Sequence, residues 1–449
     1  MIIKRCDNSA MREWLSGGVS PCQGEGRGFE SRLALRYMQT RFYRVCLCIR
    51  AVQGDGYMKK NKGYLYFCLY FFYFAGHSIP LTYLNVYLEK YLHFTGSQLG
   101  LFSGISIFCS VILIPIWGMI GDRTRKYKAL LIGFLIAVIS FTYMLSIQTA
   151  FLGALVFGIL IEVSRCACNP FEDTLAMDYS AHHNGNFGLY RSGGSIGWMI
   201  SALVVGLLAT RFGLDHVIFK GYMLLLTIAL FLVFLLPRLS APKAGAGDEK
   251  KGDIISLLKN KRYLFLLFIT LTTGIVADGI GAYNGNHLIF TLGGNELMVS
   301  INSLCQTLPE FLYMMIFTSV ILPKFGYKKA YLMSVGALII RFAIYSLAPT
   351  PVVFMAGTLL HFFTITCTTA GNMSFVRQIV PPESFGTAAT LLYSANTFAR
   401  AFYGFLGGQI YEAWGSRYIY VVVLVEVIVV FIVEMKSNLL DIPYQKAAE

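Results

Sequence analysis

From Met58 onward the chain alternates between long apolar stretches and short polar breaks. A membrane-spanning helix needs about 20 mostly apolar residues. Twelve such stretches can be laid down, at roughly 63–88, 97–119, 128–147, 150–177, 189–210, 216–237, 261–288, 297–322, 329–348, 352–377, 385–410 and 417–437. The breaks are brief except for 238–260, which is rich in Ala, Gly, Lys and Asp and reads as a solvated linker. The predicted fold is therefore an all-α polytopic membrane protein of about twelve transmembrane helices. It divides into two pseudo-symmetric six-helix bundles, 58–237 and 261–449, the second ending in a short tail. The break after the second stretch carries Gly118, Asp122, Arg123, Arg125, Lys126 and Lys128, and the break after the eighth carries Lys324, Gly326, Lys328 and Lys329. A weak repeat of six helices is a common plan for secondary transporters.

Cations in the breaks set the orientation, because Lys and Arg are retained on the cytoplasmic side. With Met58 inside, twenty of them fall in cytoplasmic segments and only Lys90, Arg211, Lys220 and Arg417 fall outside. Both termini are expected in the cytoplasm, and the membrane is expected to be a bacterial-type inner membrane.

Composition narrows the function classes. Hydrophobic residues make up 56% and charged residues 14%, against about 25% charged in soluble domains. The net charge of +13 would suit nucleic acid, but the cations are interleaved with apolar stretches and form no contiguous patch, so none is expected as a partner. The partners expected are a small-molecule solute, protons and the lipid bilayer, with the chain acting as a monomer. Ten Cys are scattered, and Cys46/Cys48 and Cys166/Cys168 lack companion ligands, so no metal and no cofactor are expected. A pump would need a nucleotide-binding Gly-x-x-x-x-Gly-Lys-Ser/Thr run, which is absent. An enzyme would need a nucleophile with its base or a ligand set. His182 and His183 read instead as solvated turn residues, and the chain is expected not to be an enzyme.

Residues 1–57 are of a different kind: polar, aperiodic, with nine Lys/Arg against five Asp/Glu. They lack the apolar core and small-residue cleavage site of a signal peptide. Their Gly28-Phe29-Glu30-Ser31 run is what the T-arm of a transfer RNA gene would encode. The expectation is that the true start is Met58 and that 1–57 form a disordered leader at most.

Ionisable side chains at bilayer depth are costly and mark function. Those in question are Glu162, Arg165, Glu172, Asp173, Arg191, Asp278, Glu310, Arg341, His361, Arg400 and Glu426. Residues equidistant from a tight turn share a depth. Asp173 and Arg191 are centred on residue 182. Arg341 and His361 are centred on Pro351, ten residues to either side, about 15 Å of helix and half the hydrocarbon thickness. Glu310 and Arg341 are centred between Phe325 and Gly326. Glu310, Arg341 and His361 are therefore expected near one level close to the midplane, and an acid, a base and an imidazole together suit proton coupling. Asp278 and Arg400 are expected to pair across the bundle in a structural role. Glu162 and Arg165, three apart on one helix, can neutralise each other. Glu426 has no reading.

Gly118-x-x-x-Asp122-Arg123 with the basic residues after it resembles the signature loop of the major facilitator superfamily, departing from it at Arg125, where Gly is usual. From Met58 to the end the chain resembles the oligosaccharide–proton symporter branch of that superfamily. The likeness rests on Pro170-Phe171-Glu172-Asp173, on Gly188 to Arg191 with Gly194, Gly197 and Trp198, on Glu310, Arg341 and His361, and on Gly407-Gly408 through Gly415. The resemblance implies that Asp173 and Arg191 hold sugar hydroxyls, that Trp198 stacks on the ring, and that Glu310, Arg341 and His361 couple the proton. It implies gating or structural roles for Gly118, Asp122 and Arg123. The family carries Lys where this chain has Thr358 and Glu where it has Thr364, and Asp173 is a methylene shorter than the family's Glu. Transporters of nucleosides or aromatic acids share the Glu, Arg and His of helices 8 to 10. The function implied is proton-coupled symport, by alternating access, of an oligosaccharide or galactoside. A nucleoside or aromatic acid, or a membrane sensor that transports nothing, are the alternatives.

Overall fold

Five of the helices begin where a polar side chain takes over the unpaired amides of the first turn. Thr95 and Gln98 form a reciprocal capping box at the start of the second helix. Asn186, Asn260, Asn295 and Thr350 accept from the first-turn amides of later ones. These caps keep most connections to a few residues, so consecutive helices run antiparallel. The computed structural model describes residues 62–183, 185–237, 254–274, 279–381 and 384–442, within one unit spanning Asn61–Glu449. The expected leader 1–57, most of the linker 238–260, and Asp278 lie outside the described residues.

The first six helices are α1 Gly63–Leu92, α2 Gly96–Thr124, α3 Tyr127–Ser146, α4 Phe151–His182, α5 Phe187–Phe212 and α6 Leu214–Leu235. The last six are less regular. α7 is assembled from Lys261–Ile269, a π-helical turn Thr270–Gly274, a 3-10 turn Ile280–Tyr283, the short Asn284–Asn286 and a second π turn His287–Thr291. α8 is Glu296–Ile316, running into a π turn at Phe317–Ile321. α9 is Leu322–Leu347, bent at Gly326, whose φ of +71° suits glycine. α10, Pro351–Ile379, is interrupted between Thr358 and His361 and carries a π turn at Cys367–Gly371. α11 is Phe385–Trp414 and α12 is Ser416–Lys436. The architecture is the all-α polytopic membrane fold with no strand among the described residues.

Eight of these helices are long and apolar enough to cross a membrane on length and composition alone. The other four are α7, which is broken into short pieces, and α1, α8 and α11, which carry polar side chains to the cavity: His77 and Asn85, Asn302 with Gln306 and Glu310, and Arg400. The signature residues Gly118, Asp122 and Arg123 all lie inside α2, and the chain turns only at Arg125, in the left-handed region with φ +53°. A left-handed residue with a Cβ costs about 1–2 kcal/mol, which accounts physically for the Gly usual at that position.

α1 packs on α5 and α6, α4 on α2 and α3, α9 on α12. Two long seams join the two sets of six, α2 against α11 and α5 against α8. Polar bonds between the sets gather at the end where α1 passes into α2. Lys90 Nζ pairs with Glu296 Oε1 at 2.6 Å. Glu89 accepts from Tyr411 Oη at 2.7 Å and from Asn286 Nδ2 at 2.6 Å. Tyr83 bonds the Ser300 hydroxyl and donates to Glu296 O at 3.0 Å. The α2–α11 seam is a contact between backbones: a Cβ on Gly100 would sit 2.7 Å from Phe405 O, and one on Gly408 would strike Gly96 O and Gly100 Cα. Glycine is required there because the neighbour is main chain and cannot move aside.

Gly408→Val is expected to wedge this seam open. With Ser97→Cys as reporter in a background without other reactive cysteines, labelling by a membrane-impermeant maleimide should rise several-fold. Unchanged labelling would mean that the seam absorbs the side chain without opening.

Candidate functional site

A cavity of about 510 Å³ lies between the two sets of helices, with walls from α1 to α8 and α11. On the first side, α5 presents Arg191 and Trp198 to it, seven residues or two turns apart and so on one face. Arg191 Nε stands 3.8 Å from Asp173 Oδ1 across the α4–α5 hairpin. The guanidinium rides over the Phe74 ring at 4.2 Å, and Tyr70 Oη donates to Asp173 at 2.5 Å. Aromatic stacking and a carboxylate hold the guanidinium while leaving part of its donor fork available. Both charged side chains remain about two-fifths exposed (40% and 41%). Asp173 and Arg191 are thus brought together as the hairpin arithmetic predicts, with Arg191 and Trp198 on the wall and Asp173 behind Arg191.

On the other side, Arg341 and His361 are each 1% exposed. Arg341 Nη1 lies 2.7 Å from His361 Nδ1, and Arg341 Nε donates to Tyr345 Oη at 3.0 Å. An arginine can only donate, so Nδ1 accepts and the imidazole proton resides on Nε2. That nitrogen is 3.0 Å from Gln306 Nε2, and exchanging the oxygen and nitrogen of that amide gives it the acceptor it needs. Tyr345 Oη is 2.7 Å from Thr358 Oγ1, which donates to Asn302 Oδ1 at 2.6 Å. Asn302 and Gln306 are four apart on α8 and both line the cavity. The result is a polar ring whose hydrogen bonds run Gln306, His361, Arg341, Tyr345, Thr358 and Asn302, with α8 itself joining the two ends. Of the expected trio, Arg341 and His361 meet directly. Glu310 stands on the cavity wall one turn beyond Gln306.

Thr358 therefore has a use of its own. A hydroxyl both donates and accepts, and at this position it joins α8 to α9. The ring members Gln306, Asn302 and Tyr345 were not singled out in the sequence, since neutral polar residues are common in helices and only their convergence marks them. His77 was missed for the same reason; Arg165 Nη1 bonds its Nε2, while Arg165 Nε donates to Glu162 Oε2 at 2.6 Å. Glu162 and Arg165 do pair. Glu426 accepts from Tyr403 Oη, which ties α12 to α11. Glu172, beside Asp173, is 1% exposed with both carboxyl oxygens unpartnered among the described residues. Arg400 lines the cavity, and its expected partner Asp278 lies outside the described residues. His182 Nδ1 lies 2.8 Å from the Asp178 carbonyl and 3.2 Å from its Oδ1, one turn earlier, with the imidazole itself exposed. The described residues assemble no group of three or more His, Cys, Asp or Glu fit for a metal.

An all-α polytopic membrane protein with a polar cavity between two sets of helices, sealed at one end, is a multi-pass transporter. The chain belongs to the MFS_1 like family, which it matches over residues 65–422. It is 28% identical to the uncharacterized transporter YwbF of Bacillus subtilis (strain 168), over 77% of this chain and 85% of that protein. It is 27% identical to the maltose permease of Geobacillus stearothermophilus, over 79% of this chain and 89% of the permease. The sucrose permease of Escherichia coli is 25% identical over 45% of this chain and 51% of its own length. The two permeases agree with the resemblance to the oligosaccharide–proton symporter branch. The fold is similar to the crystal structure of the nucleoside transporter NupG, with TM-score 0.74 and 18% identity over 84% of this chain and 99% of that one.

Thr358→Val removes the link that Asn302 and Tyr345 share. Leaving buried polar groups unpaired costs about 1–3 kcal/mol each. The thermal unfolding midpoint of the purified protein should fall by several degrees, and Thr358→Ser should restore it. A Val variant as stable as wild type would show that the ring adds no stability.

Proposed function

We propose that the chain is a proton-coupled symporter that moves a neutral sugar, an oligosaccharide or galactoside, by alternating access. The observation that carries the reading is Arg191 with Trp198 on the cavity wall, Arg191 being backed by Asp173. A carboxylate and a guanidinium make charge-assisted bonds to hydroxyls, and the indole offers an apolar plate for a sugar ring. The permeases among the relatives point the same way. In this reading 58–237 and 261–449 are the two bundles, joined by the cytoplasmic linker 238–260, and the chain works as a monomer. With both termini in the cytoplasm of a bacterial-type cell, the sealed end faces outward and the cavity is presented inward. Gly118, Asp122 and Arg123 anchor the inner end of α2, and Arg400 has a structural or gating role.

Glu310, Arg341 and His361 handle the proton. Glu310 is the acid on the cavity wall, where water and solute reach it. Gln306 connects that wall to His361 and so to Arg341. Protonation of Glu310 would change the field on the polar ring and bias how α8 sits against α5 and α9, which links proton occupancy to the rocking of the bundles.

Two measurements test this. Thermal stabilisation of the purified protein by disaccharides, galactosides, nucleosides and aromatic acids reads the solute class, because a ligand bound only to the folded state raises its stability. A shift with a sugar that disappears in Arg191→Ala is the expected outcome, and a shift with nucleosides or acids alone would overturn the sugar reading. In vesicles, Glu310→Gln should leave equilibrium exchange of the solute within about twofold while abolishing uphill accumulation. Accumulation that survives would remove Glu310 from the coupling step.

A further inference from the structure

The cavity wall holds a second polar cluster that the sugar site does not use. Glu162 and Arg165 on α4, His77 on α1 and Tyr222 on α6 all line the cavity. Arg165 bonds both oxygens of Glu162 and, with Nη1, His77 Nε2. Since Arg165 only donates, His77 carries its proton on Nδ1. That N–H, on a side chain 2% exposed, has no hydrogen-bond partner among the described residues, and neither has the hydroxyl of Tyr222, 3% exposed. The Tyr73 ring stacks on the imidazole at 5.4 Å, and the Tyr222 ring lies 6.3 Å from it. The donors are thus fixed in direction by packing, and buried polar groups left without partners are otherwise costly.

Charge decides what can complete them. Glu162 already neutralises Arg165, and the imidazole that accepts from Arg165 is neutral. The cluster offers no net charge to an anion. What it offers is an N–H, a phenol that both donates and accepts, and the remaining lone pairs of a carboxylate. Adjacent hydroxyls of a sugar, each able to give and to take a hydrogen bond, match that set. Arg165 and Asp173 are eight residues apart on α4, about 12 Å of helix, more than one pyranose ring spans and within reach of two.

We propose that Glu162, Arg165, His77 and Tyr222 form a second hydroxyl-binding subsite, which takes the second ring of a neutral disaccharide whose first ring sits at Arg191 and Trp198. The proposal rests on the sugar reading above and adds to it the size of the solute: a disaccharide in preference to a monosaccharide.

The test is calorimetric titration of the full-length protein in lipid nanodiscs with maltose, sucrose and lactose, each set against methyl glucoside and methyl galactoside. Wild type should bind one disaccharide at least tenfold more tightly than either monosaccharide. Tyr222→Phe, which removes only a hydroxyl, and Glu162→Gln should each weaken the disaccharide about tenfold and leave the monosaccharide within twofold. The retained monosaccharide binding also reports that the variants are folded. Equal weakening of both sugars, or unchanged preference, would assign the cluster a structural role and overturn this proposal alone. A wild-type protein that prefers the monosaccharide overturns it as well. Absence of any sugar binding in wild type would overturn the sugar reading and the subsite with it.

Discussion

A guanidinium surrounded by helices at bilayer depth has no water to turn to, so the protein must supply every bond it needs. Arg341 is 1% exposed, and the arrangement of α8, α9 and α10 follows from meeting its demands. Its Nη1 requires an acceptor, which fixes the tautomer of His361. The proton then on Nε2 requires an oxygen, which recruits Gln306. The phenol of Tyr345, serving Nε, requires a partner of its own and finds Thr358. Each link is an ordinary hydrogen bond; because successive members share partners, the loss of one is a loss to its neighbours.

The same economy governs the join between the two sets of helices. Where α2 meets α11 the backbones touch through Gly100 and Gly408, flanked by Ser97 with Gln409 and Phe108 with Phe398. Around it lie bonds that water could replace if the seam parted, such as Lys90 with Glu296 and Tyr411 with Glu89. Close packing with solvable polar contacts is a junction that can separate and re-form. The polar ring lies to one side of this seam, within α8 to α10, and need not break when the seam does.

Much of this was legible in the chain itself, because hydropathy and turn symmetry act over long stretches. Twelve segments, the Asp173–Arg191 contact and the Arg341–His361 contact all follow from counting residues about a turn. The turn at Gly326 was legible, because Glu310 and Arg341 are centred on it; the π turns were not, since the interruptions of α7, α8 and α10 respond to tertiary packing and leave no local motif. The role of Thr358 was hidden by comparison with a family that has Lys there. His77 was hidden because one imidazole in an apolar run looks like packing until Arg165, 88 residues away, is seen to bond it. Asp278 and residues 1–57 fall outside what the structure describes.

The π turns of α7, α8 and α10, to which α1–α6 show no counterpart among the described residues, carry a consequence for how the molecule moves. A π turn holds one residue more than the α-helix around it needs. If that surplus migrates along the helix, every side chain it passes is rotated by about 100°, one residue's share of a 3.6-residue turn. α10 stores such a surplus at Cys367–Gly371, six residues beyond His361. α7, α8 and α10 can therefore re-aim individual side chains toward or away from the cavity, a freedom that α1–α6 do not share through this device. One half of the molecule is a lever, the other a lever with a winding mechanism inside it.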